Sequence, residues 1–221
     1  MRTRFQQGLD DLRDRLLRMG GLAEQAVDRA CQAYIDRDLA RCNLVLEGES
    51  LINAAEREID EVAFDLLAMQ QPMAVDLRFI LAVIKINADL ERIGDQSMSI
   101  ARRAEDMLRF PAAKLPVDIS AMGAHASDMM RRAVQALIEA DAPLAESVRE
   151  MDDEIDHMNR SAHKDLIQVM QQSPDTSLQA LNAIITARNL ERIADHATNI
   201  ATDVIFWVRG ADVRHQLAMA E

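Results

Sequence analysis

Glu91 and Asp95 lie four residues apart, and so do Glu191 and Asp195. On a helix that spacing stacks two carboxylates on one face, one turn apart, where they repel each other. Helix propensity gives no reason to place them so, and a cation held between them would relieve the repulsion. Hard cations take oxygen ligands, which suits iron, manganese, magnesium or calcium. Asp152 and Asp156 form a further pair of the same spacing. If the helices that carry the second-half pairs are antiparallel neighbours, four carboxylates converge between them. Glu49 takes the matching place in the first half, but Asn53 stands where the second acid would be. Asn brings a carbonyl oxygen and no charge, so the second-half site is expected to be the stronger. The alternative is a solvated acidic face, with Arg92 and Arg192 as ordinary ion-pair partners.

Other residues carry less. Glu154-Ile-Asp-His157 is a single Glu-x-x-His, and a ferritin-like di-iron site needs two such motifs plus two further Glu. His163 and His196 are lone helix histidines, although His196 beside Asp195 is placed to join a metal shell. Thirteen methionines scatter over apolar positions as core filling. Cys31 and Cys42 form neither a metal-binding cluster nor a disulfide framework. No phosphate-cradling glycine loop, nucleophile motif or dinucleotide fingerprint occurs, so no enzyme is expected.

The elements that position these residues are helices. Aromatics make up 3% of the chain and only seven Gly and five Pro occur, which favours long helices joined by few turns. Phe5, Leu9, Leu12, Leu16, Met19, Ala23, Ala26, Ala30 and Ala33 step by four and three along a first helix from Thr3 to Asp36, with a kink expected at Gly20-Gly21. The second helix is predicted over 39–71 and the third over 74–109. Asp118 or Ser120 caps a fourth that ends near Asp141. Asp141-Ala142-Pro143 opens a fifth that reaches Gln172. After a turn at 173–177 with several potential caps, the sixth runs to Arg209 and Gly210 ends it.

The plan is a duplication. Leu90, Glu91, Arg92, Ile93 and Asp95 match Leu190, Glu191, Arg192, Ile193 and Asp195 at an offset of 100, and the two preceding helices match at an offset of 103. The expected architecture is all-α, two repeated three-helix bundles with pseudo-twofold symmetry. Residues 1–110 form the first, 111–117 a linker, 118–210 the second and 211–221 a frayed tail.

With 37 acids against 25 bases the formal charge is −12, which argues against nucleic acid as the main partner. The basic start lacks an apolar stretch behind it, and no apolar run is long enough to span a membrane. The chain reads as cytoplasmic.

Leu66-Leu-Ala-Met-Gln-Gln-Pro72, Asp76-Leu-Arg78, Asp89-Leu-Glu-Arg-Ile-Gly-Asp95 and Arg188-Asn-Leu-Glu-Arg-Ile-Ala-Asp-His-Ala-Thr-Asn-Ile-Ala201 together resemble the PhoU family of phosphate-transport accessory and regulatory proteins. The resemblance runs from Phe5 to about Arg209. It implies a non-enzymatic negative regulator of the phosphate regulon, linking the phosphate ABC transporter, through its ATPase, to a phosphate-sensing histidine kinase. It implies a homodimer, and multinuclear sites for divalent or iron ions (iron, manganese, magnesium or zinc) on Glu/Asp-x-x-x-Asp motifs. The matching residues are Glu91, Asp95, Glu191, Asp195, Asp152 and Asp156, with Glu49 a partial match. A metal-binding scaffold that serves another transporter, and a di-iron carboxylate enzyme, are the alternatives. Helix one and the neighbourhood of Arg102-Arg103 are the expected docking surfaces.

Overall fold

The computed structural model describes residues 4–70 and 72–210. Within them the chain forms α1 (Arg4–Asp36), α2 (Leu39–Gln70), α3 (Ala74–Met107), α4 (Ile119–Glu139), α5 (Ala142–Gln172) and α6 (Ser177–Arg209), with a 3-10 turn at Pro174–Thr176. Helices α1, α2 and α3 pack on one another, as do α4, α5 and α6. The two bundles meet along α3 with α6 and along α1 with α4. This is the two-repeat, all-helical architecture expected. The tail at 211–221 and the predicted helix ends at Thr3 and Gln71 lie outside the described residues.

Local chemistry sets the ends. Asp118 accepts from the Ala121 amide and Asp141 from the Leu144 amide, each capping its helix as read from the sequence. Gly210 closes α6 in the left-handed region, φ 71°. Three expectations are corrected. First, α3 stops at Met107, two residues early, because the amides of 108–110 turn to carbonyls three residues back and tighten the end. Second, α4 stops at Glu139, where Ala140 adopts φ 52°. Third, the turn at 173–177 yields no side-chain cap for α6. Helix α1 also runs unbroken through Gly20-Gly21.

The apolar seams become one core. Leu12, Leu16, Met19, Ala23, Ala30 and Ala33 of the predicted α1 stripe are buried, and Phe5, Leu9 and Ala26 pack against the same core half-covered. Antiparallel α1 and α4 lie close together: a Cβ on Gly123 would come within 2.8 Å of Cys31 Sγ. Across this seam Ser127 donates to Asp28 at 2.9 Å and Arg131 pairs with Glu24 at 2.9 Å. Arg37, just past α1, has φ 57° and donates to the Met107 carbonyl at 2.7 Å and to that of Phe110, tying the end of α3 to the end of α1.

Cys31 and Cys42 are free and buried. Burial, with Asp28 nearby, pushes the Cys31 thiol up to about 12, and burial also raises Cys42. Because the thiolate is the reacting species, neither thiol will react with Ellman's reagent at pH 8 in the folded protein. Both will react in guanidinium chloride. Prompt native labelling of one thiol per chain would refute the packing at that seam.

Candidate functional site

Helices α3 and α6 run antiparallel and place the duplicated acidic strings on either side of a local twofold axis. Asn189 donates to Ser99 at 2.8 Å, and the swapped pair, Asn199 and Asp89, closes at 3.4 Å. Asp95 and Asp195 both line a cleft of about 540 Å³ at this junction, with Arg92, Arg192 and His196.

In the second half the acids of α5 and α6 act on one another electrostatically. Burial raises the Asp195 carboxyl to about 6, and Glu191, Asp152 and Asp156 push the same way. Glu191 is raised by burial and, although Arg188 and Arg192 oppose it, by Asp156 and Asp152. Asp152 is raised by burial and by Asp156 and Asp153, while a 3.2 Å hydrogen bond from Thr198 holds it in place. Helix α5 packs on α6 and sets Asp152, Asp156, Glu191 and Asp195 within electrostatic reach of one another. Asp156 also pairs with Arg160 at 2.8 Å.

The first half is built differently. Burial and its neighbours Asp95 and Glu56 raise Glu91. Glu56 was not singled out from the sequence. It lies seven residues beyond Glu49, on the same helical stripe, which is the signal that would have found it. Asn87 donates at 3.0 Å both to the Glu56 carbonyl and to Asp60 Oδ1, joining α2 to α3 at this level. Glu49 and Asn53 are half-buried on α2.

Among the described residues no basic side chain lies within ion-pair distance of Glu91, Asp95, Glu191 or Asp195, although Arg92 partly offsets Glu91 and Arg188 and Arg192 partly offset Glu191 from farther away. Also among the described residues, no three His, Cys, Asp or Glu side chains already stand together as for one metal ion. Glu91, Glu191, Asp152 and Asp156 are half-buried and Asp95 and Asp195 are exposed; oxygen donors of this kind suit a hard cation. His196 instead holds Asp89 of α3, 2.8 Å from Nδ1. Glu154 and His157 are on the exposed face of α5 and His163 is exposed further along, so the lone Glu-x-x-His does not turn inward. No described helix is long and apolar enough to cross a membrane.

These features define a tandem three-helix protein with acidic pairs repeated about a central helix pair. The PhoU domain model matches residues 16–104 and again 119–204. The phosphate-specific transport system accessory protein PhoU homolog of Pseudomonas aeruginosa is 41% identical over 212 residues, covering 96% of this chain and 88% of that protein. The Escherichia coli (strain K12) accessory protein PhoU is 31% identical over 211 residues, 96% of this chain and 88% of that one. The crystal structure of PhoU from Pseudomonas aeruginosa superposes with a TM-score of 0.92 at 40% identity, covering 94% of this chain and all of that one. The Streptococcus pneumoniae phosphate transport system regulatory protein PhoU gives 0.87 at 25%, covering 95% and 99%. The chain belongs to the PhoU family.

Proposed function

We propose that this protein is a non-catalytic regulator of phosphate transport, an adaptor between the phosphate ABC transporter's ATPase and a phosphate-sensing histidine kinase that keeps the phosphate regulon repressed when phosphate is plentiful. The observation that carries the reading is membership of the PhoU family over both halves of the chain. Its working place is the cytoplasm and its working form a homodimer. Deleting the gene should derepress alkaline phosphatase in high phosphate, and continued repression would refute the regulatory role. Co-purification of the tagged protein with the ATPase, with the kinase, or with both tests the adaptor.

The acidic pairs are its ion sites. Asp152 and Asp156 from α5 with Glu191 and Asp195 from α6 would hold divalent or iron ions. Glu91, Asp95 and Glu49 would do so in the first half, where Glu56 supplies charge that Asn53 lacks. A bound cation would neutralise the carboxylates and draw α5 and α6 together, which couples ion occupancy to the shape of the second bundle. Metal content measured on purified protein should fall in the Glu191→Ala, Asp195→Ala double variant. Unchanged content would remove these residues from the site.

A further inference from the structure

Far from the acidic pairs, α3's last turns and α6's first turns form a groove of about 270 Å³ lined by Arg103, Arg109, Leu178, Leu181, Asn182 and Ile185. Leu178 is 54% exposed and Leu181 43%, so apolar surface faces outward here. Asn182 is only 8% exposed. Its Nδ2 donates to the Leu178 carbonyl at 2.9 Å, but its buried Oδ1 accepts nothing. Arg103 Nη1 stands 3.3 Å from Asp106, while its buried Nε has no acceptor. A buried polar atom without a partner is destabilising, and an acceptor and a donor both remain open among the residues that line this groove. The α6 N-terminus, without a side-chain cap, adds partial positive charge.

The duplication supplies an internal control. At the pseudo-equivalent end of the α3–α6 pair, Lys85 replaces Ile185 and Asp203 replaces Arg103, and these two close on each other at 2.9 Å. That end satisfies its charge from within. The other end exchanges the acid for a base and the lysine for an apolar residue. It presents two arginines against one aspartate in a chain whose net charge is −12.

We propose that this groove binds the free C-terminal end of a polypeptide whose last residue is apolar. The carboxylate meets Arg103 and Arg109, the last backbone N–H donates to Asn182 Oδ1, and the apolar side chain covers Leu178, Leu181 and Ile185. A fatty acid lacks the N–H, and inorganic phosphate makes no use of the apolar wall. This site is independent of the carboxylate pairs and of the proposed regulatory role.

Calorimetric titration of the full chain with acetyl-Ala-Leu, its C-terminal amide, N-acetyl-leucine and inorganic phosphate tests it. The free acid should bind saturably and the amide about tenfold more weakly or less. A peptide end requires acetyl-Ala-Leu to bind more tightly than N-acetyl-leucine; equal binding would reduce the site to one for small acylated amino acids. Arg103→Gln should weaken the free acid by a similar factor, with helix content and Tm unchanged. If Arg103→Gln does not fold, Arg109→Gln, exposed in the turn just past α3, reads the same effect. Absent saturation, equal binding of the amide, equal binding of inorganic phosphate or unaltered affinity in a folded arginine variant would each overturn the proposal.

Discussion

Asp195→Asn will stabilise the metal-free protein, and, on the proposed ion site, the same change will abolish stabilisation by added manganese or iron. The Asp195 carboxyl titrates at about 6 in the fold against an ordinary 3.8. Between those values the folded chain holds a proton that the unfolded chain has released. The contribution of Asp195 to stability is therefore fullest at low pH and declines as pH rises from about 4 through 6. Above that window the ionised group faces Asp152 and Asp156 from α5 and Glu191 on its own helix, with partial opposition from His196, in a cleft that Asp95, Arg92 and Arg192 also line. Water reaches Asp195 and screens part of this repulsion, so its removal should add about 1 kcal/mol at pH 7.5. Melting curves of chelated protein at pH 4.5 and 7.5, repeated with added metal, read both effects. A variant less stable than the native chain at pH 7.5 would contradict the electrostatics. A metal-induced rise in Tm of equal size in both proteins would take Asp195 out of the ion site.

Phe79→Ala should be among the most damaging single changes, costing about 3–5 kcal/mol. Phe79 is 4% exposed and lies against Trp207, 7% exposed, with ring centroids 5.0 Å apart. The contact joins the start of α3 to the end of α6. The Arg13 guanidinium sits 5.3 Å from the Phe79 ring and 5.6 Å from Trp207, so α1 clamps the same pair. Arg78 adds a hydrogen bond from Nε to the Trp207 carbonyl at 3.3 Å. Removing Phe79 leaves a cavity at a three-helix junction that backbone movement cannot readily fill. Thermal unfolding should drop by about 10 °C. Because Trp207 is the chain's sole tryptophan, its emission should shift to longer wavelength in the folded variant. Phe64→Ala provides the contrast: that ring is 57% exposed, and its loss should cost no more than about 1 kcal/mol. Equal destabilisation by the two changes would refute the assigned junction.

The helices themselves were legible because their signals are local. Three-and-four spacing marks a buried stripe from Leu12 to Ala33. Asp118 and Asp141 announce their helices through side chains that reach amides three residues on, and Gly210 ends α6 through a conformation glycine adopts freely. The duplication was legible because Leu-Glu-Arg-Ile-small-Asp recurs with its spacing intact, and that string also carries the family.

What the chain order does not contain is which faces meet. Spacing puts Glu56 on the stripe of Glu49, but only the packing of α2 on α3 sets it against Glu91. His196 follows Asp195 in the chain, yet one helical step turns it toward Asp89 of the other bundle. Arg92 and Arg192 lie next to the acids in sequence without reaching ion-pair distance, because neighbours on a helix point about 100° apart. The repeated acidic string is thus visible in the sequence as spacing alone. Its grouping with Asp152 and Asp156, and the shared cleft between Asp95 and Asp195, were decided by long-range packing, which sets distances that no local spacing encodes.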